Sequence, residues 1–431
     1  MRIALVTVTS HEGCTLKDVA GGFGTVFEVG RSLPARLLER AKARVADLPS
    51  LTLAYLAAHL RAHDVRVHDW RPGHPLPDAD VAIVLSSITD ASAERELCAR
   101  LSTRGARTIM VGPYASARPE HYADAATAVI VGEPEALGEA ILDARGVVHA
   151  GDVADLDALP FPWWERFPVA RYRYAFLRTP VLPVGSARGC AYGCGYCPWR
   201  VTARFRERDP DRVAAEIAEL RARHGIRSVA FRDPLFNLDA NRVRALCRAI
   251  APLGVRFSAE MRADRLDEAL LDELARAGLR SLEIGVESID RALLAREKRK
   301  PPERAQIERV VREAQRRGVR VICNYVLGLP DDDEATMRET IAWAKELDSF
   351  AVQFTVATPY PGTTLEPKVE GRRLPVRPDD HTGFRPTFAH ARLSAERLEA
   401  LRERAYVGYY FRPRYALRFA RAAARALLDR H

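Results

Sequence analysis

Lysine is scarce in this chain of 431 residues: arginine supplies all but six of its 66 basic side chains. Basic residues are not interleaved with aromatic ones in the way that RNA-binding folds use, so the net charge of +9 predicts no nucleic-acid partner. Long apolar runs are also missing. None approaches the roughly 18 residues of a membrane span, so we expect no membrane-spanning segment.

The chain lacks the features of a secretory signal and of a disulfide framework. Its first ten residues, MRIALVTVTS, have one charge and only a short apolar run, which favours a cytoplasmic location. Seven cysteines, an odd number, do not suit a disulfide scaffold. Four of them are scattered and are expected to be buried as small apolar side chains: Cys14, Cys98, Cys247 and Cys323.

Residues 1–145 alternate strand-like apolar runs with helical patterns. This alternation predicts an α/β domain with a doubly wound, Rossmann-like parallel sheet, whose ligand lies beyond the carboxyl ends of the strands. Polar or glycine-containing turns follow three of the strands; they are either ordinary strand-to-helix turns or ligand contacts. The candidate contacts are Ser86, Ser87, Thr89, Gly112, Pro113, Gly132 and Glu133.

Two segments do not fit this alternation. Residues 10–32 form a long connection with five glycines, which we interpret as a lid or wall over the ligand of the first domain. Residues 146–180 are rich in proline and aromatic residues, and they predict an extended, packed connector.

Residues 181–375 repeat the strand-and-helix alternation six times. The pattern predicts a partial (β/α)6 barrel, in which chemistry gathers at the carboxyl ends of the strands. Residues 376–431 predict a C-terminal helical region of two helices, broken at Arg412–Pro413. The second helix is basic and amphipathic; it either lies on a membrane surface or packs against the barrel, and we favour packing.

Three cysteines lie close together directly after the first strand of the predicted barrel. The stretch GCAYGCGYCPWR, residues 189–200, contains Cys190, Cys194 and Cys197. A structural zinc site would need a fourth ligand, and a redox Cys-x2-Cys pair would leave Cys190 unexplained. Three thiolates on a glycine-rich loop can instead hold three irons of a 4Fe–4S cluster and leave the fourth iron open to an exogenous ligand.

The spacing Cys-x3-Cys-x-aromatic-Cys after the first strand of a β/α barrel resembles the radical S-adenosylmethionine (SAM) superfamily. The resemblance implies that SAM binds the open iron, that the reduced cluster cleaves SAM to a 5′-deoxyadenosyl radical, and that Tyr196 lies near the adenine. Five later segments resemble motifs of the cobalamin-dependent branch: FRDPLF, AEMRAD, GVES, GLPDDDEATM and TPYPGTTL.

These matches imply a set of SAM contacts. The usual G-x-I-x-G-x-x-E of the fifth strand reads here Asn324-x-Val326-x-Gly328-x-x-Asp331, which departs from the family at both ends. The residues implied to contact SAM are Tyr196, Asp233, Glu260, Arg262, Glu287, Ser288 and Val326.

The first domain is similar to the cobalamin-binding domain of the same branch. LTLAYLAAHLR, VGPYAS and VGEPEAL resemble its motifs, with Pro113 in place of a glycine. The D-x-H-x-x-G loop that supplies an axial histidine in other cobalamin proteins is absent, and the spacing around His11 does not replace it. The resemblance therefore implies base-off cobalamin, bound through the seven strand-end residues named above.

The resemblance implies a cobalamin-dependent enzyme that methylates an unactivated carbon through methylcobalamin and a 5′-deoxyadenosyl radical. An oxidative cyclase or ring-rearranging enzyme with the same cofactors is the alternative. A tRNA methylthiotransferase would need three further cysteines in the first domain, and a cobalamin sensor with a structural cluster would normally have four cluster ligands. The expected partners are a small-molecule or peptide substrate and an external electron donor such as flavodoxin or ferredoxin.

Overall fold

The computed structural model describes residues 1–174 and 176–418. Two six-stranded parallel sheets organise this part of the chain. The first belongs to the amino-terminal domain, the second forms an open barrel, and the connector crosses from one to the other. The α/β fold class predicted from the sequence is confirmed.

The first sheet is doubly wound. Its strand order places the first strand inside the sheet, so that the chain turns in opposite directions on either side of it. Such a reversal opens a crevice at the carboxyl ends of the strands, where ligands of these sheets bind. In spatial order the strands are Asp64–Trp70, Arg2–Val8, Val81–Leu85, Arg107–Val111, Ala128–Gly132 and Gly146–Gly151.

The sixth of these strands was not predicted. Gly146–Gly151 pairs in parallel with Ala128–Gly132, although the sequence places it in the connector. Its edge position explains the omission: it alternates exposed and half-buried residues, so it lacks the apolar run that marks the inner strands. The helices of this domain are Leu33–Ala43, Leu51–His59, Ala91–Thr103 and the short Pro113–Ala117.

The second sheet has its strands in chain order from one edge to the other, all parallel, as expected for a partial barrel. The strands are Val181–Val184, Ser228–Phe231, Arg256–Met261, Leu279–Glu287, Arg320–Leu327 and Ala351–Val356. Helices between them are Pro210–His224, Ala240–Ile250, Glu268–Ala277, Arg291–Arg296, Arg304–Arg316 and Glu334–Leu347.

Aspartates set where most of these helices begin. The carboxylate of the residue before the helix accepts hydrogen bonds from backbone amides of the first turn, which would otherwise lack partners. Five barrel helices start in this way, after Asp209, Asp239, Asp267, Asp290 and Asp333.

The C-terminal helix Ala395–Tyr410 closes the open edge of the barrel. The backbone amides of Phe354 and Val352, on the edge strand, donate to the hydroxyls of Tyr406 and Tyr410 at 3.0 and 2.9 Å. An unpaired strand edge invites association with other chains, and these two tyrosines satisfy part of it. Most of the second predicted helix, residues 419–431, lies outside the described residues. No described helix is long and apolar enough to cross a membrane.

Candidate cluster and cofactor site

The cysteine loop is held closed at its base. Ala187–Arg188 pairs in an antiparallel bridge with Arg206–Glu207, and the loop 189–200 projects from this hairpin. Gly189 has φ +70°, and a Cβ atom there would lie 2.4 Å from the carbonyl oxygen of Ala203. Only glycine fits this close crossing of two backbone segments.

The three cysteines of the loop are half-buried free thiols. Burial raises the pKa of Cys190 and of Cys197, and the neighbouring thiols of the loop raise it further. Bound iron would provide the positive charge that deprotonates these thiols. The donor set fits three irons of a cluster, whereas no group of three His, Cys, Asp or Glu side chains among the described residues could hold a single metal ion.

Arg299, which the sequence did not single out, lies beside Cys194 of the loop. Its Nη1 lies 4.0 Å from the Sγ of Cys194, its Nη2 donates to the carbonyl oxygen of Gly285 at 2.5 Å, and it pairs with Glu287 at 3.4 Å. Glu287 has φ +69°, a strained backbone for a non-glycine residue, of the kind found at functional sites. The AREKRK stretch around Arg299 carries four charged residues besides it, so composition gave no signal.

Tyr196 and Val326, two predicted SAM contacts, lie together in one apolar cluster. The Tyr196 ring is also close to Glu287 and Arg299, and burial raises the pKa of its hydroxyl well above the ordinary value. Asn324 lies two residues before Val326, and its amide oxygen is buried without a hydrogen-bond partner among the described residues. An orphaned acceptor beside an apolar wall suits a polar, ring-containing ligand such as a nucleoside.

Glu260 lies inside the barrel beside Glu283, its register partner on the next strand. Burial and the Glu283 carboxylate raise the pKa of Glu260 to about 8. Glu283 accepts a hydrogen bond from the Tyr174 hydroxyl at 2.6 Å. The Glu260 carboxylate therefore favours a proton or a cationic ligand group beside it.

Three further predicted SAM contacts, Asp233, Arg262 and Ser288, have hydrogen-bond partners within the protein. Asp233 accepts from the backbone amides of Ser186 and Ala187 at 2.7 and 3.1 Å, and so braces the start of the cysteine loop. Arg262 bonds to both carboxylate oxygens of Asp264 and lies 4.6 Å from the ring centroid of Tyr192. The Ser288 hydroxyl accepts a hydrogen bond from the backbone amide of Asp290 at 3.2 Å. It also lies 3.5 Å from the Thr340 hydroxyl.

A cavity of about 590 Å³ lies where the ligand edges of the two sheets face each other. A second cavity of about 600 Å³ adjoins it and reaches Cys190. Four predicted cobalamin contacts line the first cavity. Two of them, Gly112 and Gly132, have positive φ angles of +106° and +100°. The four are Gly112, Pro113, Gly132 and Glu133. In both glycines the missing Cβ makes room for neighbouring protein atoms, Gly151 beside Gly132 and Leu85 and Ser86 beside Gly112.

The remaining predicted cobalamin contacts, Ser86, Ser87 and Thr89, are fully buried and do not line this cavity. Ser86 accepts from the Ala115 amide at 2.9 Å. Ser87 and Thr89 belong to a buried network in which Lys17 binds Ser87, Asp90 and Glu94 at 2.6, 2.6 and 3.2 Å. The sequence did not single out the last two carboxylates.

The network holds the glycine-rich segment 10–32 in place as a wall. A Cβ atom on Gly22 would lie 2.6 Å from Pro113, and one on Gly21 would lie 3.1 Å from Pro198 beside the cysteine loop. Phe23 stacks on Tyr360 of the barrel with ring centroids 5.5 Å apart. The segment therefore contacts the first domain, the cysteine loop and the barrel at once.

The family model of the radical SAM superfamily matches residues 184–344, the segment that contains the cysteine loop and five of the six barrel strands in whole or in part. Residues 184–344 form a radical SAM domain. This domain contains the three cysteines, and their interpretation as a cluster site with one open position stays a prediction from their spacing.

Curated relatives of this chain include methyltransferases and a cyclase. An uncharacterised methyltransferase of Pyrococcus horikoshii is 24% identical over 414 residues, which cover 86% of this chain and 89% of the relative. Bacteriochlorophyllide d C-12(1)-methyltransferase of Chlorobaculum tepidum is 23% identical, covering 78% of this chain and 76% of its own. Anaerobic magnesium-protoporphyrin IX monomethyl ester cyclase of Cereibacter sphaeroides is 25% identical, covering 53% and 39%.

The fold also resembles a solved structure over both domains. The radical SAM methyltransferase TsrM from Kitasatospora setae, solved with cobalamin and a 4Fe–4S cluster, matches with a TM-score of 0.59 and 17% identity. The match covers 86% of this chain and 79% of that one. The likeness therefore includes the amino-terminal domain, which the family model does not reach.

Proposed function

We propose that the protein is a cobalamin-dependent radical SAM enzyme that methylates an unactivated carbon. One observation carries the proposal: the cavity at the ligand edge of the doubly wound domain adjoins a second cavity that reaches Cys190 of the cluster loop. A methyl carrier and a radical generator must both reach one substrate carbon, and facing ligand edges provide that arrangement.

Bound cofactors supply the redox and group-transfer chemistry: the cluster provides the electron that cleaves SAM, and cobalamin carries the methyl group. For each product, one SAM leaves as S-adenosylhomocysteine after giving its methyl group. A second SAM leaves as 5′-deoxyadenosine and methionine after taking the substrate hydrogen. The balance requires two electrons from an external donor.

The chain's own residues hold and orient these groups. Cys190, Cys194 and Cys197 would ligate the cluster and leave one iron for SAM. Tyr196, Val326 and the Asn324 amide would contact the nucleoside, and Glu260 would accept from the SAM ammonium group. Gly112, Pro113 and Gly132 would lie against the corrin.

The segment 10–32 would exclude water from the radical. Its contacts with Pro113, Pro198 and Tyr360 close the boundary between the two domains, as a reactive intermediate requires. Asp18 of the same segment pairs with Arg232 at 2.7 Å where the cavity meets the barrel.

The proposed partners are a small-molecule or peptide substrate, rather than a nucleic acid, and a flavodoxin- or ferredoxin-type electron donor. Support for donor access comes from the cluster loop itself, where Ala191 is exposed and Cys190 is half-buried. We also propose a cytoplasmic location, where the loop thiols stay reduced until the cluster is inserted.

The test is anaerobic incubation of reconstituted, cobalamin-loaded protein with methyl-labelled SAM, a chemical reductant and candidate substrates that include tetrapyrroles and aromatic amino acids. We expect both S-adenosylhomocysteine and 5′-deoxyadenosine, with label in the product. Absence of both SAM-derived products would refute the proposal. Formation of 5′-deoxyadenosine without label transfer would instead favour a cyclase or ring-rearranging enzyme, the alternative that the cyclase relative supports.

A further inference from the structure

Four charged side chains join the two domains beside the cofactor cavity, and we call them the interdomain clamp: Glu133, Glu135, Arg188 and Arg206. Arg206 binds both carboxylate oxygens of Glu133, with Nη1 at 3.0 Å from Oε2. Arg188 bridges the two glutamates, at 3.3 Å from Glu133 and 3.1 Å from Glu135.

The glutamates belong to the first domain, directly after the strand Ala128–Gly132. The amide of Glu133 donates to the Gly151 carbonyl at 2.9 Å, and its carboxylate accepts from the Val153 amide at 2.7 Å. Gly132 crosses Gly151 so closely that a Cβ atom would lie 2.6 Å from the carbonyl oxygen. The backbone that carries the two acids is therefore rigid at the cavity edge.

The arginines belong to the radical SAM domain, at the base of the cluster loop. Arg188 and Arg206 are register partners in the antiparallel bridge from which the loop projects. Arg188 precedes Cys190 by two residues, and the intervening Gly189 is locked against residues 203–204. A displacement of either arginine would therefore move the first cluster ligand.

Burial makes these ion pairs specific. The side chains of Glu133 and Glu135 are 9% and 1% exposed, and that of Arg206 is 11% exposed. Arg188 also lies 5.3 Å from the ring centroid of Tyr55. Removing one residue of the clamp leaves its partner charged and poorly solvated. In an exposed pair such as Arg204–Asp152, by contrast, water would solvate the charge that remains.

We propose that the interdomain clamp sets the position of the cluster relative to the corrin, so that Glu133 and Glu135 are positioning residues rather than cobalamin contacts. Glutamates of the first domain fix the hairpin that carries Cys190, and the same glutamates line the cavity assigned to the corrin. The two redox centres are thereby held at one separation. This inference rests on the proposed function, because it needs both cofactors to bind.

Electron paramagnetic resonance tests the clamp without a substrate. The protein is loaded with cob(II)alamin and a reduced cluster, and the spin relaxation rate of the cob(II)alamin is measured. This rate falls steeply as the distance between the cobalt and the cluster increases. Compared proteins are the wild type, Glu133→Gln, Glu135→Gln and the charge-retaining Glu133→Asp. The matched control is Glu139→Gln, an exposed side chain of the same segment that forms an ion pair with His63 outside the clamp.

We expect Glu133→Gln and Glu135→Gln to bind iron and cobalamin at wild-type stoichiometry but to change the relaxation rate severalfold. Glu133→Asp should lie between them and the wild type, and Glu139→Gln should match the wild type. An unchanged relaxation rate in both Gln variants would overturn the inference. Loss of cobalamin binding with unchanged hydrogen exchange in the hairpin at residues 187–190 and 204–207 would also overturn it. A wild type that binds no cobalamin would instead refute the proposed function.

A second measurement remains informative if a Gln variant loads its cofactors poorly. Hydrogen exchange of the cofactor-free protein reports the amides of residues 187–190 and 204–207. We expect severalfold faster exchange there in Glu133→Gln, with unchanged exchange in the barrel helices. Uniformly faster exchange across both domains would show a general stabilising role and would contradict the clamp.

Discussion

The guanidinium of Arg299 lies 4.0 Å from the Sγ of Cys194 and 3.4 Å from the carboxylate of Glu287. Its side chain is only 10% exposed, so water screens its charge weakly. Burial alone would lower the pKa of Arg299, but Tyr196, Glu287 and Cys194 together raise it above the ordinary value, so the side chain stays cationic at any working pH.

Replacing Arg299 by Gln should lower the reduction potential of the cluster, because a nearby positive charge stabilises the reduced, more negative state. Arg299→Lys retains the charge and should shift the potential less. A redox titration followed by electron paramagnetic resonance measures both, with the exposed Arg304→Gln as control. An equal potential in Arg299→Gln and wild type would contradict the electrostatic role.

Changing any one cysteine of the loop to Ser should remove most of the cluster iron, because a site with three thiolates has no spare ligand. Iron and sulfide analysis of Cys190→Ser, Cys194→Ser and Cys197→Ser measures the loss. Cys247→Ala is the control, since Cys247 is buried in the core away from the loop. Normal iron content in any loop variant would refute that residue as a ligand.

Gly195→Ala should destabilise the cluster loop by about 1–3 kcal/mol through overpacking. A Cβ atom there would lie 2.6 Å from Oε2 of Glu297 and 2.8 Å from Oγ1 of Thr364. The expected results are a lower melting temperature and lower cluster occupancy. Gly371→Ala, where the added Cβ meets no atom within 4 Å, should leave both unchanged.

The buried Glu94 should make stability fall as pH rises. Burial raises the pKa of Glu94 from its ordinary 4.5 to about 7, so the folded protein holds a proton that the unfolded chain releases. The free energy of unfolding should therefore decrease between about pH 4.5 and pH 7, by about 3 kcal/mol at most.

Urea unfolding of the wild type and Glu94→Gln across pH 4.5–8 isolates this contribution as the difference between the two curves. Subtraction removes other titrating groups, such as Glu260. The difference should change with pH inside that window and be flat above it. A pH-independent difference would show that Glu94 keeps one protonation state throughout.

Regular elements were predictable because their patterns are local. All the predicted barrel strands and helices appear with ends shifted by up to three residues, since apolar periodicity and aspartate caps act within a few residues of chain. The edge strand Gly146–Gly151 was missed because its residues are exposed or half-buried, and helix Leu33–Ala43 because it follows the irregular segment 10–32.

The sequence by itself determined the chemistry of the site: three cysteines at the spacing of a cluster with one open iron, placed after the first strand of a parallel barrel. Those signals are adjacent in the chain, so spacing alone carries them. Only the tertiary structure decided which polar residues line the cavities and which bond to other parts of the protein. Asp233 and Ser87, for example, have hydrogen-bond partners in distant segments of the chain. Contacts such as Arg188–Glu135 and Arg299–Cys194 join distant segments, and charge complementarity among 66 basic and 57 acidic residues is too common for sequence to select the pairs.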